Sequence, residues 1–218
     1  MNMDFWRQLD IVSESELQIP ISVIGAGGIG SPVCLALAKM GCGHLTVYDD
    51  DKVEIHNLPN QFYRLEDLGK PKVMALSEIV RSFTGTEITP REERVESQRL
   101  SGLVVSGVDS MASRQQIWEK AARYKPGVGL YIDARMGAEV CRIYTIRPVD
   151  PDDVRLYEST LYSDAEAEEE PCTARAIIYN VLSVAGLVAN QVKKYVKGEP
   201  LAREIIMDLK TLILFSNE

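Results

Sequence analysis

A glycine cluster set between an apolar run and a helical stretch constrains this chain more than any other feature. Residues 20–25 (PISVIG) are short and apolar, as a strand buried in a parallel sheet must be. Gly25-Ala26-Gly27-Gly28-Ile29-Gly30 follows and satisfies G-x-G-x-x-G. Residues 31–40 (SPVCLALAKM) then read as a helix, with Pro32 in the first turn, where a missing N–H costs little, and with Gly41 and Gly43 ending it. Residues 44–49 (HLTVYD) form a second strand that ends on Asp49, 19 residues after Gly30. The glycines allow a tight turn and let backbone N–H groups at the helix N-terminus approach a phosphate. A carboxylate placed like Asp49 reaches a ribose hydroxyl. The pattern therefore predicts a βαβ unit that binds a nucleotide. It leaves the nucleotide open, because an NAD-dependent oxidoreductase carries the same signals up to this point.

Further along, residues 71–83 have helical apolar spacing at Val73, Leu76, Ile79, Val80 and Phe83. Residues 102–108 read as another buried strand, followed by a helix from about Ser110 to Tyr124. Strands are expected at 128–134 and 139–146, the second alternating apolar and polar residues. Residues 148–171 hold PVDPDD and an acidic run from Asp164 to Glu170, and read as a solvated surface crossover. Residues 173–196 read as one long buried or interface helix, too short and too polar for a membrane span. Two short strands, split at Asp208–Lys210, occupy 204–215. With no internal repeat and no linker, the expectation is one α/β domain over residues 1–218, a mostly parallel sheet flanked by helices, with antiparallel strands at its C-terminal end.

Charge and cysteine usage exclude several classes. The chain has 218 residues, 24 basic and 32 acidic, for a net charge of −8. That balance gives no global footprint for nucleic acid. The first residues (MNMDFWRQLD) lack a basic segment followed by an apolar one, so no secretory signal is expected. Cys34, Cys42, Cys141 and Cys172 form no C-x-x-C, and His44 and His56 lie in no spaced ligand cluster, so a structural zinc site is not expected. Without an export signal, reduced thiols and a cytoplasmic location are expected. Cys34, Cys42 and Cys141 read as packing residues.

The residues after Asp49 narrow the nucleotide chemistry. Asp49-Asp50-Asp51 leads to His56-Asn57-Leu58-Pro59-Asn60-Gln61 and then to Asp67-Leu68-Gly69-Lys70-Pro71-Lys72. A dehydrogenase has no use for this polar set. An adenylating enzyme does, since it must cradle a triphosphate, hold Mg²⁺ and stabilise charge on the α-phosphate. Lys72 stands in the first turn of a helix, where a cation is electrostatically unfavourable unless an anion sits nearby. Asp109 ends a strand and opens a helix, so it reads as a metal ligand or an N-cap.

In these motifs the sequence resembles the ThiF/MoeB/HesA family of ATP-dependent activating enzymes, related to ubiquitin-activating enzymes. Gly25, Gly27, Gly28 and Gly30 match the family's G-x-G-G-[LI]-G loop. Asp49 and Asp51 match its D-x-D, Asn57, Leu58 and Gln61 its N-L-x-R-Q, and Gly69 and Lys72 its D-x-G-x-x-K. Asp109, Ser110 and Arg114 match its D-[NS]-x-x-x-R, and Arg7-Gln8 its N-terminal R-Q. The resemblance runs from about Asp4 to the C-terminus and implies a Rossmann-like fold, a minimal zinc-free form and no inserted domain. It also implies Mg-ATP as cofactor, with Asp49 on the ribose, Lys72 on the triphosphate and Asp109 on Mg²⁺. It further implies a homodimer in which Arg7 reaches the partner's site. Asn60 stands where the family has an arginine, with Arg64 the candidate replacement. Cys172, directly before the long helix, matches in position a cysteine that in some relatives forms a thioester or persulfide with the carrier. The implied reaction is adenylation of the C-terminal carboxylate of a small ubiquitin-like or sulfur-carrier protein, with transfer to Cys172 as a following step. A non-catalytic nucleotide-binding scaffold subunit, suggested by Asn60, is the first alternative, and an NAD-dependent oxidoreductase the second. No membrane or nucleic-acid partner is expected.

Overall fold

The apolar runs at 21–24 and 102–106 lie side by side at the centre of one eight-stranded sheet. In a computed structural model, which describes residues 3–162 and 176–217, they are β1 (Ile21–Ile24) and β4 (Gly102–Ser106), paired in parallel with Val23 opposite Val105. All four β1 residues are buried, and Ser22 is the one polar residue among them. On its other side β1 pairs with β2 (Leu45–Tyr48), and β2 with β3 (Thr89–Arg91), both in parallel. Beyond β4 lies β5 (Val128–Gly137), also parallel. Then β6 (Val140–Ile146), β7 (Glu204–Asp208) and β8 (Ile213–Asn217) follow as antiparallel neighbours. The order is β3-β2-β1-β4-β5-β6-β7-β8. The mostly parallel sheet with an antiparallel C-terminal end is the expected fold class. Short β3, with Pro90 at its centre, lay outside the sequence expectation, as a three-residue edge strand leaves almost no period to read.

Alternation along the strands builds two cores. Val23, Val105 and Ile132 face α1 (Gly30–Met40), α2 (Lys72–Thr84) and α5 (Ile178–Val196), meeting Leu37, Leu76 and Val188. Ile24, Val104 and Tyr131 face the other way, onto α3 (Met111–Ile117) and α4 (Pro151–Glu158), where they meet Ile117, Trp118 and Tyr157. α1 is covered by the sheet, α2 and α5, and so is apolar almost all round. It stops at Gly41, whose φ of 103° is a left-handed cap that a side chain would strain.

Three expectations need correction. The long helix expected from residue 173 begins at Ile178, with Ile177 in an extended conformation just before it. Residues 151–158 are not part of a solvated crossover but form a helix that packs into the core. Asp150 caps α4 by accepting from the Asp152 N–H at 2.9 Å, Pro151 occupies the first turn, and Val154 and Tyr157 are buried. The acidic run 164–170 lies outside the described residues. The helix expected to Tyr124 is α-helical only to Ile117, then opens into a π turn over Trp118–Ala122 closed by Arg123 N–H to the Trp118 carbonyl at 2.7 Å. That turn seats Trp118 edge-on to Tyr157, ring centroids 4.6 Å apart, with its indole N–H on Glu158 at 3.1 Å. Among the described residues no helix is long and apolar enough to cross a membrane.

Candidate nucleotide site

The chain reverses its winding between β1 and β4, and a crevice opens at the C-terminal ends of those strands, as in other open α/β sheets. The crevice is a cavity of about 930 Å³. Its wall includes Gly25, Gly27, Gly28, Asp49, Asp51, Gln61, Lys72, Asp109 and Ser110. Residues from five separate sequence motifs thus converge on one space.

The glycine loop is built by close backbone approach. A Cβ on Gly30 would stand 1.7 Å from the Gly25 carbonyl oxygen, and one on Gly25 (φ +88°) would stand 3.0 Å from the Gly107 oxygen. Gly27 has only the Gln61 amide nitrogen near it, at 3.8 Å, so its N-terminal helix face stays open to a ligand. The Asp49 carboxylate accepts from Ala26 N–H at 2.6 Å and from Asp51 N–H at 2.8 Å, tying the loop to the end of β2. Burial pushes its pKa up, opposed by the Ala26 N–H and by Lys72. Lys72, the first residue of α2, is buried, and its ammonium donates to Asp51 at 2.8 Å. Asp49, Asp50 and Asp51 lie close enough to share a cation. Asp50 is already paired with Arg94 and Asp51 with Lys72, so the triplet reads as charge-compensated loop structure.

Ser110, not Asp109, caps α3: its hydroxyl accepts from Ser113 N–H at 3.2 Å. Asp109 is exposed on the cavity wall and makes no hydrogen bond among the described residues, so its oxygens are available to a hard cation. Asn57 lies outside the lining and closes its own turn, accepting from Glu54 N–H at 2.9 Å. Asn60 donates from its side chain to the Ala176 carbonyl at 3.3 Å, and its backbone carbonyl oxygen lies beside Gly28. The side-chain oxygens of Asn60 and Gln61 are buried without a partner among the described residues. Arg64 does not replace the motif arginine, since it is held by Glu66 and Asp67 outside the lining. Arg7 is exposed, stacked on Trp6 away from the cavity. Cys172 lies outside the described residues.

The family profile described as ThiF family matches residues 8–215. The chain belongs to the ThiF family. This ThiF-family chain is 37% identical over 106 residues to the NEDD8-activating enzyme E1 catalytic subunit of Arabidopsis thaliana, covering 45% of this chain and 23% of that protein. It is 31% identical over 109 residues to the ThiS adenylyltransferase of Escherichia coli K12, covering 46% of this chain and 43% of that protein. It thus spans less than half the length of these curated relatives. Among solved structures it resembles E. coli MccB with AMPCPP and MccA, at a TM-score of 0.71 and 17% identity, covering 94% of this chain and 65% of that one. That likeness is one of fold.

Below the cavity this ThiF-family chain carries an ion network that sequence reading did not find. Asp133, fully buried in the middle of β5, accepts from Arg114 at 2.7 Å, Arg135 at 2.8 Å and the Tyr157 hydroxyl at 3.1 Å. Arg114 donates onward to the Val108 carbonyl at 2.7 Å, so it braces the loop that carries Asp109. The available signal was two charged residues, Asp133 and Arg135, on one face of a strand most of whose residues are buried. A second pocket of about 380 Å³, lined by Arg142, Tyr144, Leu156 and Glu204 among others, adjoins the first over β5 and β6.

Proposed function

We propose that this chain uses ATP to adenylate the C-terminal carboxylate of a small ubiquitin-like or sulfur-carrier protein. The observation that carries the reading is the convergence of the glycine loop, Asp49, Lys72 and Asp109 on one cavity at the switch point. The adjoining second pocket offers an approach for the acyl end. The names of the curated relatives, a NEDD8-activating subunit and a ThiS adenylyltransferase, favour this chemistry over hydride transfer.

In this reading the N–H groups of the glycine loop and the α1 N-terminus hold the phosphates. Asp49 takes a ribose hydroxyl with lone pairs its two backbone donors leave free. Lys72, fixed by Asp51, offsets charge on the triphosphate. A carboxylate oxygen of the carrier attacks the α-phosphorus, the bond to the α–β bridging oxygen breaks, and pyrophosphate leaves. Asp109 is the residue that would hold Mg²⁺, which supplies neutralisation of phosphate charge. Cys172 is assigned the following step, in which its thiolate takes the acyl group and AMP departs. Arg7 is assigned to the site of a second copy in a homodimer, consistent with its distance from its own cavity.

ATP–pyrophosphate exchange with carriers encoded beside this gene tests the reading. Exchange that requires the cognate carrier and is lost in Asp109→Ala supports it; nucleotide binding without carrier-dependent exchange favours a scaffold subunit. Cys172→Ala should keep exchange while losing any thiol-sensitive carrier adduct. Mixing Arg7→Ala with Asp109→Ala protein should restore activity if Arg7 acts in the partner's site, and should restore none if it acts within its own chain.

A further inference from the structure

The nucleotide cavity and the second pocket share Arg135, Met136 and Tyr162 in their linings. Among the described residues Arg135 is the cation common to both. It is also held more firmly than a surface arginine. Its Nε donates to Asp133, and its terminal nitrogens donate to the Thr160 carbonyl at 2.9 Å and the Thr160 hydroxyl at 3.0 Å. Its guanidinium carbon lies 4.6 Å over the Tyr144 ring. Each terminal nitrogen carries a pair of N–H groups, and these bonds use one of each pair, leaving the other uncommitted among the described residues. The side chain is 13% exposed, so it is fixed and largely dry but not sealed.

Charge and placement give this residue a use. Asp133 sets one negative charge against the two positive charges of its partners Arg114 and Arg135, so it does not fully neutralise the pair. The next residue, Met136, reaches the glycine loop, since its Cε would stand 2.8 Å from a Cβ on Gly28. The end of β5 therefore sits against the phosphate loop on one side and opens to the second pocket on the other. A carboxylate entering a site that already holds a triphosphate meets strong like-charge repulsion, and a fixed guanidinium on its path offsets that repulsion without reorganising.

We propose that Arg135 is a carboxylate-binding residue, which receives a peptide-type C-terminal carboxylate from the second pocket through its uncommitted terminal N–H groups. Asp133, Thr160 and Tyr144 are the positioning groups that hold it in place. The inference rests on the adenylation reading, and it adds a residue that none of the sequence motifs contains. A strut that merely ties β5 to Thr160 would serve stability alone.

Two probes separate these roles by calorimetry on the whole chain: AMP, and a 5′-O-(N-glycylglycyl)sulfamoyl adenosine, which mimics an acyl-adenylate and keeps the one carboxylate oxygen, now a carbonyl, that Arg135 would still hold after adenylation. Wild-type protein should bind the acyl probe more tightly than AMP. Arg135→Met should weaken the acyl probe by about 10- to 100-fold, the worth of a charge-assisted hydrogen bond, and leave AMP within about twofold. Equal loss on both probes, or loss on neither, overturns the assignment. If Arg135→Met does not fold, Arg135→Lys keeps the charge and loses the fork, and should weaken the acyl probe alone by about 3- to 10-fold. Wild-type protein that binds AMP but gains nothing from the acyl group overturns the inference and leaves the nucleotide site standing. Wild-type protein that binds neither probe overturns the adenylation reading as well.

Discussion

Gly30 and Gly27 share a loop but answer to different constraints. A methyl group on Gly30 would overlap the Gly25 carbonyl, which is backbone and cannot swing aside. Gly30→Ala should therefore cost more than about 4 kcal/mol or prevent folding, as read by urea denaturation. Gly27→Ala meets nothing closer than 3.8 Å, so it should fold normally, and if the loop holds phosphate as proposed it should lose nucleotide affinity, as its methyl would take that space. Asp133→Asn leaves Arg114 and Arg135 buried with reduced compensation and should cost about 3–5 kcal/mol of stability. Burial pushes the thiols of Cys34 and Cys42 up to about 12 and that of Cys141 up to about 11. Iodoacetamide at mildly alkaline pH should leave all three unmodified in the native protein, as peptide mapping can show. Their packing role was legible in the sequence from their place within a helix, between glycines and in a strand.

At the scale of the element, α5 divides its residues by face. Val184, Val188 and Val192 are buried against the sheet and α1, while Leu182 is half exposed. Val188→Ala should cost about 2 kcal/mol and Leu182→Ala less than about 0.5 kcal/mol, measured by thermal unfolding. The turn before α2 carries an acid-sensitive tie. Burial works against ionisation of Asp67, but hydrogen bonds from Arg64 and Lys70 outweigh it and hold its pKa at about 2. A carboxyl lowered on folding stabilises fully above its ordinary value near 4, and that contribution is lost as pH falls towards about 2. Wild type and Asp67→Asn should thus differ in stability at neutral pH and converge through that window. Helices and strands with clear period, such as those at 21–49 and 71–84, were legible from sequence. The capping of α4 by Asp150 and Pro151 was not read from the sequence, because charge density there suggested a surface segment. The packing of Tyr157 on Trp118 decided otherwise.

Across the whole molecule, ligand binding and folding are linked, because the cavity exists only when β1, β2 and β4 are assembled. Mg-ATP at about 100 times its Kd should add about 2.7 kcal/mol of stability, a rise in Tm of about 5–10 °C, and NADH should add none. An NADH shift without an ATP shift would reverse the choice of nucleotide. By itself the sequence determined the βαβ start, the parallel core with its antiparallel end, and which residues, the glycine loop, Asp49, Lys72 and Asp109 among them, line the cavity of the proposed site. Those features are written in local signals: hydrophobic period, glycine where a side chain cannot fit, and charged residues at strand ends. The tertiary structure alone decided which polar residues meet. Asp133, Arg114 and Arg135 lie on one strand and a preceding helix, and Thr160 comes from the turn after α4. Their hydrogen bonds depend on strand register and on how two helices pack, which no local pattern encodes. The same packing moved the N-cap to Ser110, held Arg64 away from the site, and set Arg135 at the junction of two pockets.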